Sequence, residues 1–434
     1  MREMKDSGIE WIGIIPSDWK ISRIKYVATF INGDRRANYP SGSDLVDEGI
    51  IFLTSNNIHG TMLDCCSEIS KYITTDRYSI LGGAKIALGD IIYCLRGSVG
   101  NCAINKEATE GTVASSLVDI RPTKIHPEYL NYILQSPINS VQTLAYMNGS
   151  CAANLSAENV ANYYFIEPPV TKQRIISAFL DSKCSEIDSI ISDIQSQIEA
   201  LEEYKRSVIT EAVTKGLDPD VEMRDSGIEW LGFIPSTWQT RKGKYIFVQR
   251  NERGNSIELQ LLSPTQKYGV IPQDLYEEIS GYKAVKLDEK TDYSLLKTIH
   301  KGDYCISLRS FQGGFEYSEY EGVVSPAYQV FYPVIEVFRG YYKHLFKTQI
   351  FIDKMNSFTM SLRDGKNIAF ADFGNTYLPI PPIQEQQQIT DYLDSKCAEI
   401  DSIIAEKKQQ IETIEEYKKS LIFEYVTGKK EVIV

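Results

Sequence analysis

The sequence predicts an α+β protein: two mixed α/β domains joined by two long α-helices that form an intramolecular antiparallel coiled coil, arranged as a pseudo-twofold internal repeat. Three observations predict it. The stretch Met4-Lys-Asp-Ser-Gly-Ile-Glu-Trp-Ile-Gly-Ile-Ile-Pro-Ser-Asp-Trp19 recurs as Met223-Arg-Asp-Ser-Gly-Ile-Glu-Trp-Leu-Gly-Phe-Ile-Pro-Ser-Thr-Trp238. Leu180-Asp-Ser-Lys-Cys-Ser-Glu-Ile-Asp-Ser-Ile-Ile191 recurs as Leu393-Asp-Ser-Lys-Cys-Ala-Glu-Ile-Asp-Ser-Ile-Ile404. Between these markers the chain is rich in Ile, Val, Tyr and Phe punctuated by Gly, Asn and Asp, the texture of short strands with some helix. A duplication this long is not chance, and it sets the expected boundaries: domain 1–167, helix 168–219, domain 220–380, helix 381–434.

The helices follow from periodicity. Leu180, Ile187, Ile194, Leu201 and Val208 are spaced by sevens beside Cys184, Ile191 and Ile198. Leu393, Ile400, Ile414 and Leu421 repeat the row beside Cys397, Ile404 and Ile411, with Lys407 breaking it. A heptad stripe sustained this long needs another helix to cover it, and the partner at hand is the other copy. Pro168-Pro169 and Pro381-Pro382 suit helix starts, where a missing N–H costs nothing. Gly216 and Gly428 suit helix ends. Each helix is expected to run roughly 40 residues, or about 60 Å.

The domains share only a faint echo. Gly89-Asp-Ile-Ile-Tyr-Cys-Leu-Arg-Gly97 parallels Gly302-Asp-Tyr-Cys-Ile-Ser-Leu-Arg-Ser310, a turn into a strand that delivers an arginine at its end. Gly111-Thr-Val-Ala-Ser-Ser-Leu likewise parallels Gly322-Val-Val-Ser-Pro-Ala-Tyr. The frame is kept while the contents change, as in two recognition modules with different targets.

Composition narrows the class. The 434 residues are 43% hydrophobic and 24% charged, with net charge -12, which is globular composition spread over at least two domains. No basic start with an apolar stretch marks a signal peptide, and no run reaches the ~18 apolar residues of a membrane span, so a cytoplasmic protein without membrane contact is expected. The eight cysteines include the adjacent pair Cys65-Cys66 and no C-x-x-C, and there are four histidines; no metal site is expected. Acidity weakens a nucleic-acid reading without excluding it. The helical segments carry about six of the excess acidic charges, while residues 239–380 are slightly basic, and net charge speaks to association rather than fold.

No catalytic constellation appears. There is no G-x-x-x-x-G-K-[ST] loop, H-E-x-x-H helix or G-x-S-x-G elbow. Glu167-Pro168-Pro169 and Ile380-Pro381-Pro382 fall where an amino-methyltransferase would need Asp or Asn, and they fit helix starts better. The chain is expected not to be an enzyme.

The Asp-Ser-Gly-Ile-Glu-Trp-(Ile/Leu)-Gly-x-Ile-Pro-Ser-x-Trp element opens each half. Pro-Pro-x-x-(Lys/Glu)-Gln (Pro168 to Gln173, Pro381 to Gln386) leads each helix, followed by Leu-Asp-x-Lys-x-x-x-Ile-Asp and by Glu-Tyr-Lys (Glu203 to Lys205, Glu416 to Lys418). With these motifs the whole chain resembles the specificity subunit of a Type I restriction-modification enzyme. The resemblance implies two target recognition domains, each reading one half of an asymmetric bipartite site in double-stranded DNA. It implies helices that set the gap and dock modification subunits, expected to be two, with two restriction subunits joining for cleavage. It implies no cofactor on this chain, S-adenosylmethionine, ATP and Mg belonging to the partners. The alternative is a coiled-coil interaction scaffold that does not bind DNA.

Arginine forks read guanine, Asn and Gln read adenine, and small polar groups hold phosphates. On that basis the candidates in the first domain are Arg35, Arg36, Ser55, Asn56, Asn57, Arg96, Ser98, Asn101 and Asn148. In the second they are Thr265, Gln266, Lys267, Tyr268, Arg309, Ser310, Gln312, Tyr328, Arg363, Lys366 and Asn367. Taken singly, each fits a solvated turn better. Arg96 and Arg309 stand out by recurring at one frame position. A base reader should differ between domains, so phosphate anchoring suits this pair better, with a structural ion pair the other possibility.

Overall fold

The computed structural model describes residues 2–35, 39–59, 61–65, 68–107, 109–147, 155–253, 259–283, 293–306, 314–358 and 368–432. The chain divides into two compact units, residues 1–194 with 408–434, and residues 195–407. Each unit therefore combines one globular domain with part of both long helices.

In the first unit a four-stranded antiparallel sheet has the order Cys102–Ile104, Ile91–Cys94, Leu117–Pro122, Ala28–Asn32. Strand residues point alternately to opposite faces, and here both faces are covered. Ile91, Tyr93, Val118 and Ile120 join a core with the helix Pro127–Gln135 and the long helices. Ile92, Cys94 and Leu117 join a second core with Ile51, Leu53 and Val113, which belong to a five-stranded sheet. In that sheet Gly111–Val113 runs parallel to Ile50–Leu53.

The second unit rebuilds the frame. Phe315–Tyr317, Tyr304–Ile306, Gln329–Pro333 and Phe247–Gln249 lie in the corresponding order. Tyr304, Ile306 and Phe331 face one core, while Cys305 and Val330 face another with Leu262, Val270 and Val324. The filling differs. Strand pairing puts Phe247 where the first domain has Ala28, and Phe331 where it has Ile120. Phe247 then stacks edge-on against Tyr304, Phe331 and Tyr342. One frame thus holds a core richer in aliphatic side chains in one copy and richer in aromatic ones in the other.

The Gly-Asp turns are also the same. Gly89 and Gly302 have φ of 84° and 89°, a left-handed conformation that favours glycine. Asp90 accepts from the Ala87 N–H at 2.7 Å, and Asp303 from the His300 N–H at 3.0 Å. Both carboxylates are buried and paired with arginine, supplied by different strands. Arg121 reaches Asp90 at 2.7 Å from Leu117–Pro122, whereas Arg250 reaches Asp303 at 2.7 Å from just beyond Phe247–Gln249 and lies over the Tyr332 ring.

The first long helix, Val170–Lys215, has 46 residues and the second, Ile383–Val426, has 44. At 1.5 Å per residue they reach about 65–70 Å, longer than expected, because helical geometry begins directly at the prolines and persists to the glycines. The glutamine of each Pro-Pro-x-x-x-Gln motif ties a helix to its domain. Gln173 donates to the Pro168 carbonyl (2.8 Å) and accepts from the His126 N–H (2.9 Å). Gln386 donates to Pro381 (2.8 Å) and accepts from Phe338 (2.9 Å).

Within each unit the two helices run antiparallel. In the first, Lys172 meets Glu431 (2.9 Å) and Asp188 meets Lys418 (2.7 Å). In the second, Gln197 meets Lys407 (2.6 Å) and Lys205 meets Asp401 (2.7 Å). Lys407, the break in the heptad row, thus finds a polar partner on the facing helix. Leu180, Cys184, Ile187, Leu421 and Val426 are buried together, as are Val213, Ile389 and Leu393, each apolar side chain contributing about 1.5–3 kcal/mol by burial. Leu201, Ile411 and Ile414 are only half-buried.

The Pro-Ser-x-Trp motif closes the helix ends. Gly428 packs so tightly on Pro16 and Trp19 that a Cβ there would lie 2.6 Å and 2.8 Å from them. At Gly216 a Cβ would lie 2.8 Å from a Glu385 carboxylate oxygen and in ordinary contact with Trp238, and Trp238 donates its ring N–H to Glu385 at 3.0 Å. Both glycines have positive φ, 81° and 70°.

Candidate nucleic-acid interface

At the end of the first domain's sheet where Ala28–Asn32 and Ile91–Cys94 both finish, three loops converge. Asp34 accepts the Gly83 N–H at 2.6 Å and fixes the loop that carries Arg35. Arg96 leaves Ile91–Cys94 with its N–H on the Ser116 carbonyl at 3.2 Å. Gly97 and Gly100, with φ of 77° and 94°, fold the next residues into a tight turn that exposes Ser98 and half-buries Asn101. A Cβ on Gly97 would stand 3.5 Å from the Ser55 hydroxyl, so the loop of Ser55 and Asn56 abuts the arginine turn.

Arg35 and Arg96 line one cleft of about 360 Å³ with Asn32, Ser156, Glu158 and Asn159. The Leu155 N–H on the Leu95 carbonyl, at 3.0 Å, seals its floor. Long-range folding therefore brings Arg35, Ser55, Asn56, Arg96, Ser98 and Asn101 to one edge. The cleft lining holds two exposed arginines and one carboxylate, and guanidinium forks match phosphate geometry.

Asn57 requires a correction. It is fully buried: its amide donates to the Asp64 carbonyl and the Ser70 hydroxyl, both at 3.0 Å, and its oxygen accepts from the Thr54 N–H at 2.8 Å. Every polar valence is used inside the loop, so Asn57 shapes the platform for Ser55 and Asn56 instead of reaching a ligand.

In the second domain Thr265, Gln266, Lys267 and Tyr268 form the turn between Leu262–Thr265 and Gly269–Pro272. The Thr265 hydroxyl pins it, donating to the Gly269 carbonyl and accepting from the Tyr268 N–H, both at 3.0 Å. Lys267 lies over the Tyr268 ring at 4.9 Å. The turn borders a groove of about 640 Å³ that also involves Lys343, His344, Lys347 and Asp394, and the Gln266 carbonyl accepts from Lys347 at 3.3 Å. Tyr328 packs half-buried on the core of Leu262, Val270 and Val330, while its carbonyl accepts from Lys297 at 2.6 Å. Arg36, Asn148, Arg309, Ser310, Gln312, Arg363, Lys366 and Asn367 lie outside the described residues.

The sequence reading missed two kinds of residue. One is the buried aspartate pair: Asp119, between the two sheets of the first domain, has no hydrogen bond to either carboxylate oxygen. Burial and then the neighbouring Asp90 push its carboxyl up to about 8, with Arg121 at 3.6 Å opposing. The other is an aspartate in each Leu-Asp-Ser-Lys-Cys motif that the domain grips. Tyr132 donates to Asp181 at 2.8 Å, and His344 meets Asp394 at 2.9 Å. His344 holds the Asp394 carboxyl below the usual carboxylate range. Repetition of that motif was the available signal, but which residue would grip it was not readable.

Among the described residues, no group of three or more His, Cys, Asp or Glu is placed to hold a metal ion, and no helix is long and apolar enough to cross a membrane.

Comparison with known proteins is consistent across the chain. The family described as Type I restriction modification DNA specificity domain matches residues 16–200 and 235–413. The putative Type I restriction enzyme MjaX specificity subunit of Methanocaldococcus jannaschii is 24% identical, over 97% of this chain and 96% of its own length. The Type I restriction enzyme EcoKI specificity subunit of Escherichia coli is 19% identical, over 96% and 90%. Among solved structures, a chain described under the structural basis of complex assembly and conformational transition of the Type I R-M system shares the fold. Its TM-score is 0.66 at 14% identity, covering 96% of this chain and 99% of that one.

Proposed function

Because the chain belongs to the Type I restriction modification DNA specificity domain family, we propose that it is the sequence-reading subunit of a Type I restriction-modification complex. Its two domains each read one half of a bipartite DNA site, and its paired helices set the gap and dock the modification subunits. Residues 1–167 and 220–380 serve as target recognition domains, and residues 168–219 and 381–434 as spacer helices. Bond-making belongs to the partner subunits.

One observation carries the reading: two domains with one sheet order, one Gly-Asp turn and one helix tether differ in core filling and in loop chemistry. A duplicated frame with divergent loops fits two half-sites of different sequence. The family resemblance together with the twofold repeat supports two modification subunits, and two restriction subunits complete the assembly. Arg35 and Arg96 serve as phosphate contacts, with Ser55, Asn56, Ser98 and Asn101 beside them at the duplex.

Methylome sequencing of cells with and without the gene tests this. One interrupted motif with two unlike halves should vanish on deletion. A continuous motif, identical inverted halves or an unchanged methylome would overturn the proposal.

A further inference from the structure

A second cationic surface lies at the opposite end of the strand Ala28–Asn32 from the arginine cleft. The turn Ile24–Tyr26 presents Lys25 and Tyr26 to solvent, the tyrosine 62% exposed. The Lys25 ammonium stands 5.4 Å from the Tyr26 ring centre and donates to Asn162 at 2.8 Å. Arg23 donates to the same Asn162 oxygen at 3.3 Å and lies over the Tyr164 ring at 4.6 Å.

The second domain rebuilds this cluster. In the turn Gly243–Tyr245, Tyr245 is 61% exposed, and Lys244 stands 5.5 Å from its ring centre and 3.3 Å from the Asn375 oxygen. Lys242 lies 5.5 Å over Tyr377. The pairing of Arg23 with Tyr164 matches that of Lys242 with Tyr377. Position for position the lysine, both tyrosines and the asparagine are identical, and Arg23 against Lys242 keeps the charge.

Neighbours did not stay fixed. Ile24 corresponds to Gly243 in the repeat, Tyr163 to Thr376, and the sheet positions Ala28 and Ile120 to Phe247 and Phe331. An outward tyrosine gains little from burial where it stands, so packing does not account for its retention beside a held lysine in both copies. A ligand met by both domains does. Two cations per cluster set its sign as an anion. Domains with different base-reading loops share only what does not vary with sequence, and in duplex DNA that is the sugar-phosphate backbone. In the first domain the short helix Ala157–Ala161 joins the two surfaces: Asn159 lines the arginine cleft, and Asn162, which caps the helix, holds Lys25.

We infer that Lys25 with Tyr26, and Lys244 with Tyr245, form a duplicated clamp on the DNA backbone, separate from the loops that choose bases; this rests on the DNA-reading function proposed above. The test uses the full chain purified with its modification subunits, titrated with a duplex bearing the mapped site and with a scrambled duplex, across a salt series. The double variant Lys25→Gln, Lys244→Gln should lose about tenfold affinity for both duplexes alike and flatten the dependence of log affinity on log salt by about two, while the methylated motif is unchanged. Tyr26→Ala with Tyr245→Ala should weaken both duplexes without altering that slope. Variant affinities equal to wild type, a loss confined to one duplex, or loss of the modification subunits from the complex would overturn the clamp. Wild-type complex that retains neither duplex would overturn the DNA reading itself, a result distinct from wild-type binding with indifferent variants.

Discussion

Single side chains in this protein separate into those that hold the frame and those offered to a ligand. Arg96 is proposed for the second kind: it leaves the sheet at a glycine turn and shares a cleft with Arg35. Arg96→Ala should weaken binding to every duplex by a similar factor and reduce the salt slope by about one; a shift in the preferred bases of one half-site would assign it to base reading. Asp119 belongs to the first kind and carries a pH signature. Its carboxyl, pushed up to about 8 in the folded state, lies near 4 when unfolded. The folded state therefore holds the proton more tightly, and the contribution of this group to stability is full below about pH 4 and is lost as pH rises toward 8. Asp119→Asn should stabilise the first domain at about pH 8 and several-fold less at about pH 5, as read by urea denaturation at the two values. The second domain has Val330 at this frame position and lacks the effect. None of this was visible in the sequence, where Asp119 is one acid among many. The convergence of Arg35, Ser55 and Arg96 was hidden too, because it depends on pairing strands far apart in the chain. Asn57 shows the opposite error: a residue type suited to adenine was consumed by its own loop.

At the level of elements, sequence reading succeeded wherever a local pattern had a local cause. Heptad spacing, the double prolines and the terminal glycines announced both helices, and only their lengths were short. The sheets were less legible, since strands of two to six residues carry little periodicity and their order depends on distant partners. The helix ends offer a direct test. Gly216 and Gly428 combine positive φ with contact against the tryptophan motifs. Alanine at either should cost about 1–2 kcal/mol from the backbone alone, with the overlap on Pro16 and Trp19 adding to it at 428. Gly428→Ala should lower the denaturation midpoint more than Ala substitution at exposed Lys429. Equal midpoints would show that the tryptophan contact does not constrain the helix end.

For the whole molecule, the helices act as a ruler if they set the gap between half-sites. One heptad added to both, beside Gln197 and Lys407, keeps the apolar stripe in register and lengthens each helix by about 10 Å. The methylated motif should keep both halves and gain up to about three base pairs in its gap, at 3.4 Å per base pair. Altered half-sites with an unchanged gap would dissociate the helices from spacing.

The unit that holds the first domain is also completed by residues 408–434: the Tyr129 hydroxyl donates to the Val426 carbonyl at 3.0 Å, and Leu421, Ile422 and Val426 share its core. During synthesis at about 5–20 residues per second, Leu180 and Ile187 wait on the order of 10–50 s for their cover, while residues 195–407 form a continuous segment that closes earlier. Of the two domains, the one translated earlier is the later to mature. A nonsense mutation near residue 408 would therefore injure the N-terminal domain while leaving residues 195–407 complete, and chaperone demand should concentrate on that interval.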